Sequence, residues 1–195
     1  MRSIPFLFYF LLSSISYSQT FTGTTGVITD DGATNDYTLT TTFPNSILDA
    51  SFGLLKVCLD INHTYDADLE VQLIAPDGTV VNLFTNIGGS GDNFRNTCLS
   101  QSAPTSIGTG AAPFTGTFKP QQTIGNFNNG QNGNGVWTLR IIDTYPLVDS
   151  GRLNSWSLEF GADATVPFAF TSSNLPIVII NTNGVAIPDE PDING

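Results

Sequence analysis

Hydrophobic and polar residues alternate with a period of two along much of the chain. In LLKVCLDIN, Leu55, Val57, Leu59 and Ile61 fall on one side, with Lys56, Cys58, Asp60 and Asn62 on the other. Residues two apart share a face of a pleated strand, so the stretch predicts a half-buried strand. DLEVQLIA repeats the pattern, with Leu69, Val71 and Leu73 inward and Glu70 and Gln72 outward. APDGT follows as a turn, because Pro presets φ, Asp caps and Gly accepts a positive φ. TVVNLF then returns as the second arm of a hairpin. VWTLRIID and LNSWSLEF are two further strands, with Trp137, Leu139, Ile141, Trp156, Leu158 and Phe160 inward. YTLTTTF reads as an edge strand, and another strand is expected around Cys98. No segment carries apolar residues at helical spacing. The pattern predicts an all-β, antiparallel sandwich.

Two regions break the rhythm. Gln101 to Gly135 is weakly periodic and contains APFTGTFKP and the turn-rich NFNNGQNGNG. From residue 162 onward a linker leads into PIVIIN and a Pro/Asp tail, which is expected to open a second, truncated domain. At the other end, one Arg precedes an apolar run from Ile4 to Leu12, with Ser16 and Ser18 placed for signal peptidase. Residues 1–18 are therefore expected to be a signal peptide cut before Gln19, with the main domain over 19–161. That run is too short to span a bilayer.

Composition narrows the partners. Six basic residues against 17 acidic ones give the 195-residue chain a formal net charge of -11. Such a surface disfavours nucleic acid and anionic lipid, and suits solubility or divalent cations. Export would place Cys58 and Cys98 where a disulfide persists. Neither has the further ligands that a zinc site needs. The bond would close a loop of about 40 residues, worth ~3–4 kcal/mol on the chain-entropy model.

HTYDADLEV holds the one histidine, His63, with Asp66 and Asp68 close by. A serine hydrolase triad would have to use His63, yet GGSGD around Ser90 lacks the strand-turn-helix context of a nucleophile elbow. Asp66 and Asp68 as a glycosidase pair have no flanked cleft in view. Calcium is the better chemical candidate, since acidic, glycine-rich loops supply carboxylate, amide and carbonyl oxygens. The hairpin would bring HTYDAD beside GGSGDN, so Asp66, Asp68, Asp92 and Asn93 are the expected ligands. The alternative is that both loops only turn the chain, their Asp and Asn side chains bonding nearby amides. His63 itself is expected to pack or hydrogen-bond at a strand end.

VCLDINHTYDADLEVQLIAPDGTVVNLF, GGSGDN, APFTGTFKP and GVWTLRIIDTYPLVDSGRLNSWSLEF together resemble the P domain, or Homo B domain, of proprotein convertases. The resemblance runs from Gly26 to Gly161. It implies a jelly-roll β-sandwich of the galactose-binding-like kind that follows a subtilisin-like protease domain, supports its folding and carries no catalytic residues. Some bacterial members bind calcium there. No protease motif precedes the module in this sequence, and the Cys58–Cys98 pair is not general in the family. FTSSNLPIVIINTNGVAIPDEP, from Phe170 to Pro191, resembles the opening of a CotH kinase-like domain without its catalytic positions. The expected protein is a secreted or cell-surface, non-catalytic accessory module. Its expected partners are other domains of its own polypeptide, or an extracellular protein or glycan. The alternative is a fragment of a secreted enzyme, a subtilisin-like serine endopeptidase or a CotH-type kinase, with its active site outside this chain.

Overall fold

A computed structural model of the protein describes residues 18–148 and 151–167. The expected signal sequence up to residue 17 and the CotH-like stretch lie outside these residues. Among the described residues the first strand opens at Gln19.

Among the described residues ten strands form two packed sheets. In chain order they are β1 (Gln19–Thr22), β2 (Gly26–Ile28), β3 (Thr34–Thr41), β4 (Gly53–His63) and β5 (Leu69–Ile74). Then come β6 (Val80–Thr85), β7 (Phe94–Ser100), β8 (Gly116–Phe118), β9 (Gly135–Asp143) and β10 (Gly151–Gly161). One sheet runs β1-β10-β4-β7-β8, with β2 also on β10, and the other runs β3-β9-β5-β6. The expected all-β sandwich is therefore the observed fold, with β3 at an edge as its Thr-rich sequence suggested.

Alternation explains the core. Leu69, Val71 and Leu73 of β5, Trp137, Leu139 and Ile141 of β9, and Trp156, Leu158 and Phe160 of β10 are all buried. Phe160 meets Trp137 edge-on at 5.5 Å, while Phe84, Phe94 and Phe114 stack at 4.5 and 4.7 Å. Such ring pairs add to the burial of area that holds two sheets together.

Three details depart from the simple pattern. Leu54 is buried, whereas Leu55 is only half-buried. The register slips there, Glu159 facing Lys56 but Phe160 facing Leu54, so a bulge resets the inward phase of β4. The sheets are not wholly antiparallel, because β8 runs parallel to β7. The long connection between them gives the chain room to cross back in the same direction. Finally, the weakly periodic region caps the open edge of β6. Gln121 and Gln122 give their side-chain oxygens to the Thr85 and Asn82 amides, at 2.9 Å each. Their own amides donate to Leu83 and Asn82 carbonyls. Two glutamines thus satisfy an edge that would otherwise invite another strand.

Cys58 and Cys98 are directly opposite in the β4–β7 ladder and form a disulfide. The 40-residue interval that it closes contains β5 and β6, the whole excursion into the second sheet before the chain returns.

Candidate functional site

The ends of β4 and β6 place two loops against each other at one pole. The β4–β5 loop tightens into a 3-10 turn at Asp66–Asp68. Its Asp66 and Ala67 amides donate to the Gly91 and Gly89 carbonyls at 2.8 and 3.1 Å. The Asn93 amide donates to the His63 carbonyl at 3.1 Å, and the His63 amide donates to Asn93 Oδ1 at 3.3 Å. HTYDAD and GGSGDN therefore meet, as the hairpin topology implied. Gly88 is required for the approach. Its φ is 88°, and a Cβ there would sit 2.8 Å from Asp66 Cβ and from the Phe114 ring.

His63 follows Val57, Leu59 and Ile61 on the inward phase and is buried. Its Nε2 lies 3.0 Å from Asp143 Oδ2, a contact with neither side chain exposed. Its Nδ1 lies between the Tyr65 carbonyl oxygen at 3.0 Å and the Tyr65 amide at 3.2 Å. Both ring nitrogens are thus engaged, and neither remains to take a proton from a nucleophile. Ser90, the candidate elbow serine, is exposed on the neighbouring loop. Asp143 was not singled out from sequence. Its signal was present nonetheless, because it continues the inward series Trp137, Leu139, Ile141 as a charged residue on a core-facing phase.

Asp66 is the anomaly of this pole. It is fully buried, yet neither carboxylate oxygen accepts a hydrogen bond. Burial pushes its carboxyl up to about 7, opposed by the nearby Asn93 amide and the His63 ring, while the charge of Asp92 adds to the rise. Of the other expected ligands, Asn93 is half-buried at the loop junction and Asp92 is exposed beside it. Asp68 is half-buried, and its carbonyl accepts both the amide and the hydroxyl of Thr144, each at 2.8 Å. Among the described residues no three His, Cys, Asp or Glu side chains gather closely enough to hold a metal by themselves. A hard cation here would have to draw on carbonyl and amide oxygens as well, which calcium accepts and zinc does not. An orphaned, buried carboxylate fits that chemistry.

Comparison with known proteins places the sequence in a family. Residues 53–160 match the proprotein convertase P-domain. The chain belongs to that family. The match begins with β4 and ends in β10, so the P domain as matched contains His63, Asp66 and Asp143 and leaves β1 to β3 outside. Leupeptin-inactivating enzyme 1 of Streptomyces exfoliatus is 36% identical over 105 residues, 54% of this chain and 18% of that protein. The chain therefore spans less than a fifth of that relative's length. Two solved structures of the Aeromonas sobria serine protease are also similar. The one in complex with the chaperone ORF2 has a TM-score of 0.43 and 18% identity, covering 77% of this chain and 27% of that one. The protease alone has a TM-score of 0.42 and 17% identity, covering 75% and 27%. P domains accompany subtilisin-like proteases as non-catalytic domains. Among the described residues no helix is long and apolar enough to cross a membrane.

Proposed function

We propose that this chain is an exported accessory module without catalysis of its own, which stabilises or positions a neighbouring domain of its polypeptide. The observation that carries this reading is the commitment of His63, the one histidine, to Asp143 and to the Tyr65 backbone. The residue that would have served as general base is instead a structural clasp. The disulfide fits an oxidising, extracellular setting. The first test is to express the adjoining polypeptide with and without residues 19–161. Folded yield of the neighbour is expected to fall when the module is removed, and an unaffected neighbour overturns the reading.

Calcium is the second part of the proposal. Asp66 supplies the buried charge, with Asp92, Asn93 and carbonyl oxygens of the two laced loops completing a coordination shell. Asp68 stands on the outer flank of the same turn. Bound calcium would neutralise a carboxylate that has no partner and tie the loops together. Thermal unfolding is expected to shift upward in millimolar calcium and downward in chelator, and Asp66→Asn should abolish the response. A midpoint indifferent to calcium refutes the assignment.

A second reading is favoured by one observation: the similarity to leupeptin-inactivating enzyme 1 is confined to 18% of that protein. On this reading the module belongs to a larger secreted enzyme whose active site lies outside this chain. Reading the gene beyond Gly195, and finding or failing to find an open frame with catalytic motifs, decides it.

A further inference from the structure

Beside the Asp66 turn lies a pocket of about 430 Å³ lined by Tyr65, Asp68, Tyr145 and Val148. It sits between the β4–β5 loop and residues 144–148, which follow β9. Its size falls in the range of small-ligand sites. We propose that this pocket binds a lysine or arginine side chain presented by a partner polypeptide.

The walls are held in place from beneath. The amide of Tyr65 donates to His63 Nδ1 and the amide of Tyr145 donates to Asp143 Oδ1, both at 3.2 Å. Each member of the buried His63–Asp143 pair therefore anchors one tyrosine. The same loop is pinned on either side of Tyr145. Thr144 is bonded to the Asp68 carbonyl, and the Leu147 amide donates to the Asp30 carboxylate at 2.6 Å. Aromatic residues braced in this way are pre-organised, so a ligand need not order them.

The described lining residues favour one kind of ligand. Two tyrosine rings and a valine offer apolar area, and Asp68 offers negative charge in a chain of net charge -11. A group that suits all four is apolar along its stem and positive at its tip. Ammonium and guanidinium groups are drawn to aromatic faces and to carboxylates alike. Asp68 is already engaged, but a carboxylate has about four acceptor positions and can receive such a group as a further partner. A neutral sugar is less well served, because among the described lining residues no amide or basic side chain offers donors to its many hydroxyl oxygens. Leu147, 86% exposed, and Tyr145, 61% exposed, extend the apolar rim on which the rest of a partner segment could rest.

The test is a titration of the exported chain, at fixed calcium, with acetyl-argininamide, with its neutral isostere acetyl-citrullinamide, and with methyl glucoside. The tyrosine ring signals are followed by NMR. Saturable shifts are expected for the arginine probe, at least tenfold weaker binding for citrulline, and weakening with salt. Tyr145→Ala and Asp68→Asn should each reduce affinity about tenfold, while Tyr145→Ala leaves the calcium-induced rise in midpoint unchanged. That last readout separates failure of the pocket from failure of the calcium or accessory readings. Absence of saturable shifts, equal binding of the citrulline probe, preference for the glucoside or indifference to Tyr145→Ala each overturns the proposal.

Discussion

Two buried polar side chains lie near opposite ends of β4, and they are treated in opposite ways. Asn128, near Leu54, is almost wholly buried, and its groups are matched. Its Oδ1 accepts the Leu54 amide at 2.7 Å, and its Nδ2 donates to the Leu54 and Thr165 carbonyls at 3.1 and 2.7 Å. Asp66, near His63, is equally buried and carries two unmatched oxygens. Burial without a partner costs a neutral amide about 1–3 kcal/mol and a charge considerably more. Asn128 is therefore satisfied by its own neighbours, whereas Asp66 is complete only with a proton or a cation. Satisfied buried polar groups report on architecture. Gln101 and Gln131 also bury an unpartnered side-chain oxygen, but only Asp66 can carry a charge there and so calls for a counterion.

The largest expected effect is on the staple that encloses one pole and not the other. Replacing Cys58 and Cys98 with Ala should cost about 3–4 kcal/mol. Because the closed interval holds Asp66 and Asn93 but not Asn128, apparent calcium affinity should fall too, measurable by titrating the unfolding midpoint. Asn128→Ala comes next. It strands one amide and two carbonyls and should cost about 3 kcal/mol in denaturant unfolding, with calcium affinity unchanged. A loss of calcium response in that variant would erase the distinction between the poles.

Asp66→Asn should act with the opposite sign. The carboxyl of Asp66 stands at about 7 in the fold, against an ordinary value near ~4. The protonated form is the one the fold prefers, so this contribution is complete below about pH 4 and is lost as pH rises through about 7. In chelator the wild-type midpoint should therefore decline across that window. The Asn variant should lack this decline and be more stable at pH 8 by about 2 kcal/mol. Calcium should reverse the order by stabilising the wild type alone. The smallest effect is expected for Tyr145→Ala, on the exposed rim of the Asp66 pole, with a stability change under about 0.5 kcal/mol.

The strands were legible because alternation is a local property. Leu69, Val71 and Leu73 declare their face without knowledge of any partner. The bulge at Leu55 was not legible, since it depends on how β10 pairs across it. Nor was the role of Gln121 and Gln122, whose side chains stand in for a missing strand and leave no periodic trace. At the site, the meeting of the two loops followed from the hairpin, and Asp66 was identified with it. The His63–Asp143 pair spans 80 residues and joins different sheets, so only the inward phase of each residue hinted at it. The tyrosine pocket is not legible in the sequence because Tyr65 and Tyr145 sit in loops, where spacing carries no message about proximity.

The pairing of β1 with β10 sets Gln19 opposite Phe160, so the two ends of the sandwich emerge side by side. Gly161 faces Gly53 while Gly151 faces His63, which puts that shared exit at the Asn128 end. A chain end and a point of attachment to further polypeptide would thus share one end of the sandwich. Its tyrosine-lined tip then points away from the attachment by the length of β4, roughly 30 Å. An attachment at the Asn128 end would leave the surface at the opposite end unobstructed by the strand termini.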